Sequence, residues 1–99
     1  MDQERLHYYE QLRTSLTPLR RLITEDNASA SDFDEFLEHN EFGLALLTIC
    51  DSLLEREEIS IEECEMKAIE VLHGKMQMND ERASQLRGCW TEFCNRARL

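Results

Sequence analysis

Ninety-nine residues with a formal charge of −10 describe one acidic domain, long enough to bury a modest core without covalent staples. Three glycines, one proline and no low-complexity run exclude long disordered tails, and no stretch reaches the roughly 18 apolar residues that cross a bilayer. The N-terminus has no apolar region behind its charges, so no secretory leader is expected and the expected location is the cytoplasm.

Every long segment has a helical period and none alternates like a strand. A first helix starts near Asp2, with Tyr9, Leu12, Leu16, Leu19 and Ile23 on one face. Pro18 interrupts it, either by kinking the helix or by opening a new one capped by Thr17. The segment Thr24 to Ser31 reads as a loop, after which Ser31 or Asp32 caps a short helix that turns Phe33, Phe36 and Leu37 inward. His39 and Asn40 mark a break, since asparagine suits both the left-handed end of one helix and the cap of the next.

The stretch His39 to Glu55, HNEFGLALLTICDSLLE, is the most apolar in the chain. A helix from about Glu41 to Glu55 carries one stripe of Phe42, Ala45, Leu46, Ile49 and Leu53. Beside it runs a second stripe of Gly43, Leu47, Cys50 and Leu54. So wide an apolar arc belongs to a helix with neighbours on several sides, and Gly43 would let one of them approach closely. Ser60 and Glu63 read as a capping box that opens a helix with Ile61, Cys64, Ala68 and Leu72 inward. Asn79, Asp80 and Glu81 cap a last helix, in which Ala83, Leu86, Trp90, Phe93 and Ala97 form the inner stripe and Arg96 and Arg98 complement the dipole. The expected fold is all-α, a compact antiparallel bundle of about five helices in a single domain, residues 1–99.

Little in this pattern points to catalysis. Cys50, Cys64, Cys89 and Cys94 include no CxxC pair and read as small core residues, neither disulfides nor zinc ligands. Glu4…His7 and Glu70…His73 both match the Glu-x-x-His signature of di-metal bundles. Helical phase argues against that use: Glu70 lies about 170° from the centre of the arc set by Ile61, Cys64, Ala68 and Leu72. No glycine-rich phosphate loop or nucleophile elbow occurs. The expectation is therefore no enzyme, no catalytic residue, no cofactor and no metal.

The charge is unevenly placed. Residues 25–70 hold fifteen acids against only Arg56 and Lys67, whereas residues 1–24 and 71–99 are each slightly basic. Such a block repels nucleic acid and anionic membrane and attracts basic partners. Its bland reading is a solvated surface that keeps the protein in solution.

The run Phe33-Asp34-Glu35-Phe36-Leu37-Glu38-His39-Asn40-Glu41-Phe42-Gly43-Leu44-Ala45-Leu46, followed by Cys50-Asp51-Ser52-Leu53-Leu54-Glu55, resembles the MafI-type immunity proteins of bacterial polymorphic toxin systems. Ile59-Ser60-Ile61-Glu62-Glu63 and Met76-Gln77-Met78-Asn79 fall where that family has a third capped helix and the junction after it, so the likeness covers about residues 31–90. It implies an antidote to a toxin delivered between neighbouring bacteria by contact-dependent growth inhibition, one that binds the cognate toxin's C-terminal domain and blocks it. Such toxins are often ribonucleases, whose basic clefts an acidic surface could plug. The acids expected to point away from the core are Asp34 and Glu38 on the short helix, Asp51 and Glu55 one turn apart on the apolar helix, then Glu57, Glu58 and Glu62. The rival readings are an acidic adaptor or nucleic-acid mimic that binds a nucleic-acid-binding protein, and a small metal-binding enzyme.

Overall fold

The computed structural model describes residues 3–97, which form an all-α bundle 54 × 26 × 20 Å in extent. Helix α1 (Gln3–Leu16) runs into a 3-10 segment (Thr17–Ile23). Then follow α2 (Asn27–Glu38), α3 (Phe42–Leu54), α4 (Glu63–Lys75) and α5 (Arg82–Ala97). The expected helix start at Asp2 and the dipole role of Arg98 lie outside the described residues.

Pro18 neither kinks an α-helix nor starts one; the chain tightens into 3-10 geometry around it. Leu16, Leu19 and Leu22, all buried, recur every three residues, and a helix with three residues per turn stacks them on one face. The supposed loop of residues 24–31 is mostly the first turn of α2. Its cap is Asp26, whose Oδ1 accepts from Ser29 N at 3.2 Å while Oδ2 accepts from Ser29 Oγ at 2.6 Å and from Ser52 Oγ at 2.9 Å. The expected caps Ser31 and Asp32 sit exposed within the helix.

Helix α2 ends as the break at His39 and Asn40 implies. Asn40 adopts φ 59°, Glu41 N donates to Phe36 O at 2.8 Å, and Asn40 N donates to Leu37 O at 3.1 Å. These two bonds define a Schellman turn. The same turn ends α4, with Gln77 at φ 54°, Met78 N donating to His73 O at 3.2 Å and Gln77 N to Gly74 O at 3.0 Å. Gln77 pays the steric cost of a left-handed backbone that asparagine bears more easily.

Helix α3 is the hub: it contacts α1, the 3-10 segment, α2, α4 and α5. Phe42, Ala45, Leu46, Ile49 and Leu53 are buried, as is Cys50 from the second stripe, while Gly43, Leu47 and Leu54 are half-buried. Gly43 is not pressed by a neighbouring backbone; a Cβ there would meet only the flexible Met78 side chain, at 3.8 Å. Ser52, buried among apolar neighbours, is satisfied by Asp26.

The start of α4 is two residues later than Ser60. Its capping box is Glu62 and Glu65, with Glu62 N donating to Glu65 Oε1 at 2.8 Å. The buried face of this helix is Glu65, Met66, Ile69 and Leu72, rotated from the expected stripe so that Cys64 is exposed. Before it, residues 55–62 form an extended connection pinned by Ile59, which is 2% exposed. Helices α4 and α5 are antiparallel, paired by Trp90 Nε1 to Ile61 O (3.1 Å), Arg87 to Glu70, and His73 Nε2 to Asp80 Oδ2 (3.2 Å). The inner stripe of α5 is buried only at Ala83 and Leu86; Trp90 and Phe93 are half-buried and Ala97 is exposed, so Trp90 is a seam residue and no core anchor.

Replacing Gln77 with glycine should stabilise the protein by about 0.5–1 kcal/mol, net of the greater freedom of unfolded glycine, as read by urea unfolding. The donors on Asp26, foremost the Ser29 hydroxyl, hold its carboxyl below the ordinary 3.8. A depressed folded pKa gives stability that is complete above the unfolded value and lost as pH falls through the folded one. The Tm advantage of wild type over Asp26→Asn should therefore be constant above about pH 5 and shrink below about pH 4; an advantage that grows toward acid would contradict this reading of the cap.

Candidate functional site

Folding interrupts the acid block of the sequence, because arginines from the two basic flanks pair with four of its fifteen acids. Arg20 holds Asp34 (2.8 Å), Arg21 holds Glu65, Arg82 holds Asp51 (2.9 Å) and Arg87 holds Glu70. The bonds from Arg20 pull the Asp34 carboxyl below its ordinary range, and those from Arg87 do the same to Glu70. Glu70, expected to face solvent, is half-buried in the α4–α5 seam, since the rotated face of α4 brings it to Arg87.

The candidate acids therefore separate into groups. Asp34 and Asp51 are ion-paired across two different seams, to the 3-10 segment and to the start of α5. Glu62 is occupied in the α4 capping box. Glu38, Glu55, Glu57 and Glu58 are exposed and make no ion pair or hydrogen bond to another side chain among the described residues. Asp32 and Glu35, on the outer face of α2 in line with Glu38, are equally exposed. Sequence reasoning named only Asp34 and Glu38 on this helix, although the inward set of Phe33, Phe36 and Leu37 also turns Glu35 outward.

The free acids converge best at the α3–α4 connection. Buried Ile59 fixes its backbone, and Glu57 and Glu58 stand exposed beside it as a short ridge that borders a cleft of about 500 Å³, shared with Phe93, Arg96 and Ala97, and two further concavities. On one side lies a cleft of about 560 Å³, lined by Glu58 together with Glu25, Asp26, Ser60, Arg21 and Arg56. On the other side a smaller cleft of about 390 Å³ is lined by Glu57, Glu92, Arg56 and Arg96. Within the larger cleft Arg21 is already spent on Glu65, which is 7% exposed, and Arg56 faces Asp26. Glu25 and Glu58 carry the remaining charge. A ridge of this kind can enter a basic groove.

The groups weighed for chemistry are engaged elsewhere. His7 hydrogen-bonds Gln11 and is exposed, His73 is tied to Asp80, and among the described residues no three of His, Cys, Asp or Glu gather as a metal site. Asp80 is itself partly buried, which raises its pKa, but the Arg82 N–H and His73 more than offset this and hold it low. Of the cysteines only Cys50 is a core residue; Cys64 and Cys89 are exposed and Cys94 is half-buried. Burial, with the nearby charges of Asp51 and Asp80, pushes the Cys50 thiol up to about 12. Among the described residues no helix is long and apolar enough to cross a membrane.

Compared with models of known families, with curated proteins and with solved structures, the chain has no significant match.

Thiol titration of the native protein with a disulfide reagent should label Cys64 and Cys89 quickly and leave Cys50 unreacted at neutral pH until denaturant is added. Rapid native labelling of Cys50 would show that α3 opens more readily than its packing implies.

Proposed function

We propose that the chain is an immunity protein that binds and neutralises a cognate bacterial toxin domain, a basic ribonuclease delivered by contact-dependent inhibition. The observation that supports this reading most is the ridge at Glu57 and Glu58, two unpaired acids that stand exposed beside a buried anchor and border concave surfaces. The resemblance of residues 31–90 to MafI-type immunity proteins supplies the biological setting.

A ribonuclease holds its substrate by arginines and lysines that contact phosphates. Carboxylates on a fixed ridge can take the places of those phosphates, and the net charge of −10 would steer the two proteins together. Acids that become desolvated in the groove would set the off-rate, and rim acids such as Glu38 and Glu55 would mainly set the on-rate. Asp34 and Asp51 bind less strongly in this scheme, because Arg20 and Arg82 already neutralise them.

The test is co-expression of the chain with the toxin domain encoded beside it, together with binding measurements on the purified pair. Glu57→Lys/Glu58→Lys should stay folded, weaken binding by about 2–5 kcal/mol and abolish protection. Asp34→Asn, which loses only a paired acid, should still protect. Wild-type association should slow steeply as salt rises. Full protection by the double lysine variant would remove the ridge from the interface. Co-purification with a DNA-binding protein in place of a toxin would favour the adaptor reading.

A further inference from the structure

The molecule has a second surface that the acid ridge does not use. A groove of about 550 Å³ opens where the two Schellman turns meet α1 and the start of α3. Tyr9, Phe42, Leu44, Leu47, Met76 and Met78 line it. Its floor at Gly43 is open enough that only Met78 lies within 4 Å of where a Cβ would be. Leu44 is 46% exposed, and Leu6, one turn before Tyr9 on α1, is 45% exposed. Tyrosine and methionine on an exposed concave surface are the residue types enriched in protein contacts, and methionine adapts its shape to the partner.

The charges around this groove indicate what covers it. Glu41, in its lining, is exposed and has no ion pair among the described residues. Lys75, at the end of α4 beside it, lies 5.8 Å over the Tyr8 ring and donates to Gln11 Oε1 at 3.1 Å, with no carboxylate partner among the described residues. The groove thus has one acid in its lining and, at its border beyond Tyr8, one base on a separate element. A two-fold contact puts residue i of each copy against residue j of the other, so a groove with both signs is complementary to itself. A strongly basic partner would find only Glu41 there. The groove is also remote from the acid ridge: α3 separates them by its 13 residues, about 20 Å of helix. Two copies can meet here without bringing their unpaired acid ridges into contact.

We propose that this groove is the interface of a symmetric homodimer, with Leu44 of each copy seated between the aromatic and methionine side chains of the other and Glu41 paired with Lys75 across the contact. The acid ridges then remain free at the two far ends.

Sedimentation equilibrium of the full chain over about 1–500 µM should show mass rising from one chain to two. Leu44→Glu should remain monomeric throughout, with unchanged helical circular dichroism because the residue is already exposed. Glu41→Lys and Lys75→Glu should each weaken association at least about tenfold, through like charges in contact. The two changes made together in one chain should restore it, which only a contact between copies can do. A monomer at every concentration, a dimer that Leu44→Glu leaves intact, or a double swap no better than the singles would each overturn the proposal.

Discussion

One helix sets the terms for this structure. Phe42–Leu54 is apolar over more than half of its circumference, and it can be hidden from water only if every other element packs on it. The rest of the chain is arranged to do that. The 3-10 segment brings three leucine and isoleucine side chains to it, α2 lies antiparallel along it, and α5 closes another side. The one polar side chain buried on α3, Ser52, is tolerated because Asp26 is placed to receive its hydroxyl proton. A single carboxylate therefore serves a helix cap and a buried hydroxyl at once.

The interior is filled by side chains of α3 and its neighbours, and the concave surfaces lie between elements. What varies over the exterior is charge and polarity, which is the material of recognition. Folding also changes how that material reads. The fifteen acids of the middle segment look like a continuous patch in the sequence, but four of the flanking arginines each take one of them. Among the acids left without an arginine are a narrow ridge and a row on α2. Tertiary pairing thus acts as a filter that decides which acids a partner can feel.

The fold class, the hub helix and the turn at Asn40 were legible in the sequence because each rests on local or periodic information: helical spacing, a wide apolar arc and a residue type that suits a left-handed backbone. The errors have a shared origin in caps. Two acidic or hydroxylated residues near a helix start compete for the same role, and the sequence ranks them poorly. Asp26 won over Ser31 because Ser52, twenty-six residues away, contributes a hydrogen bond that no local reading can see. Glu62 won over Ser60, and the buried face of α4 lies about a quarter turn, roughly 80°, from the expected stripe, with Leu72 common to both. That rotation exposed Cys64, buried Glu65 and carried Glu70 into the α5 seam. Trp90 fell short of the core for a different reason. Its indole N–H needs an acceptor, and the carbonyl of Ile61 lies at the edge of the bundle. The acid ridge was partly legible: Glu57 and Glu58 were among the candidates, but the backbone that carries them is held by Ile59, an anchor that no helical period marks.

The pair of helices α2 and α3 is closed at both ends. Asn40 turns the chain between them, and the Asp26–Ser52 bond joins the start of the first to the end of the second. A hairpin tied in this way has no free end from which to unzip. Its backbone amides can meet solvent only when the tie and the turn release together, so protection from hydrogen exchange should be nearly level along both helices. The last turns of α5, past Trp90 and without a fully buried side chain, should exchange sooner by fraying. The molecule thus divides into a hairpin that opens as one body and an outer helix that loosens from its tip.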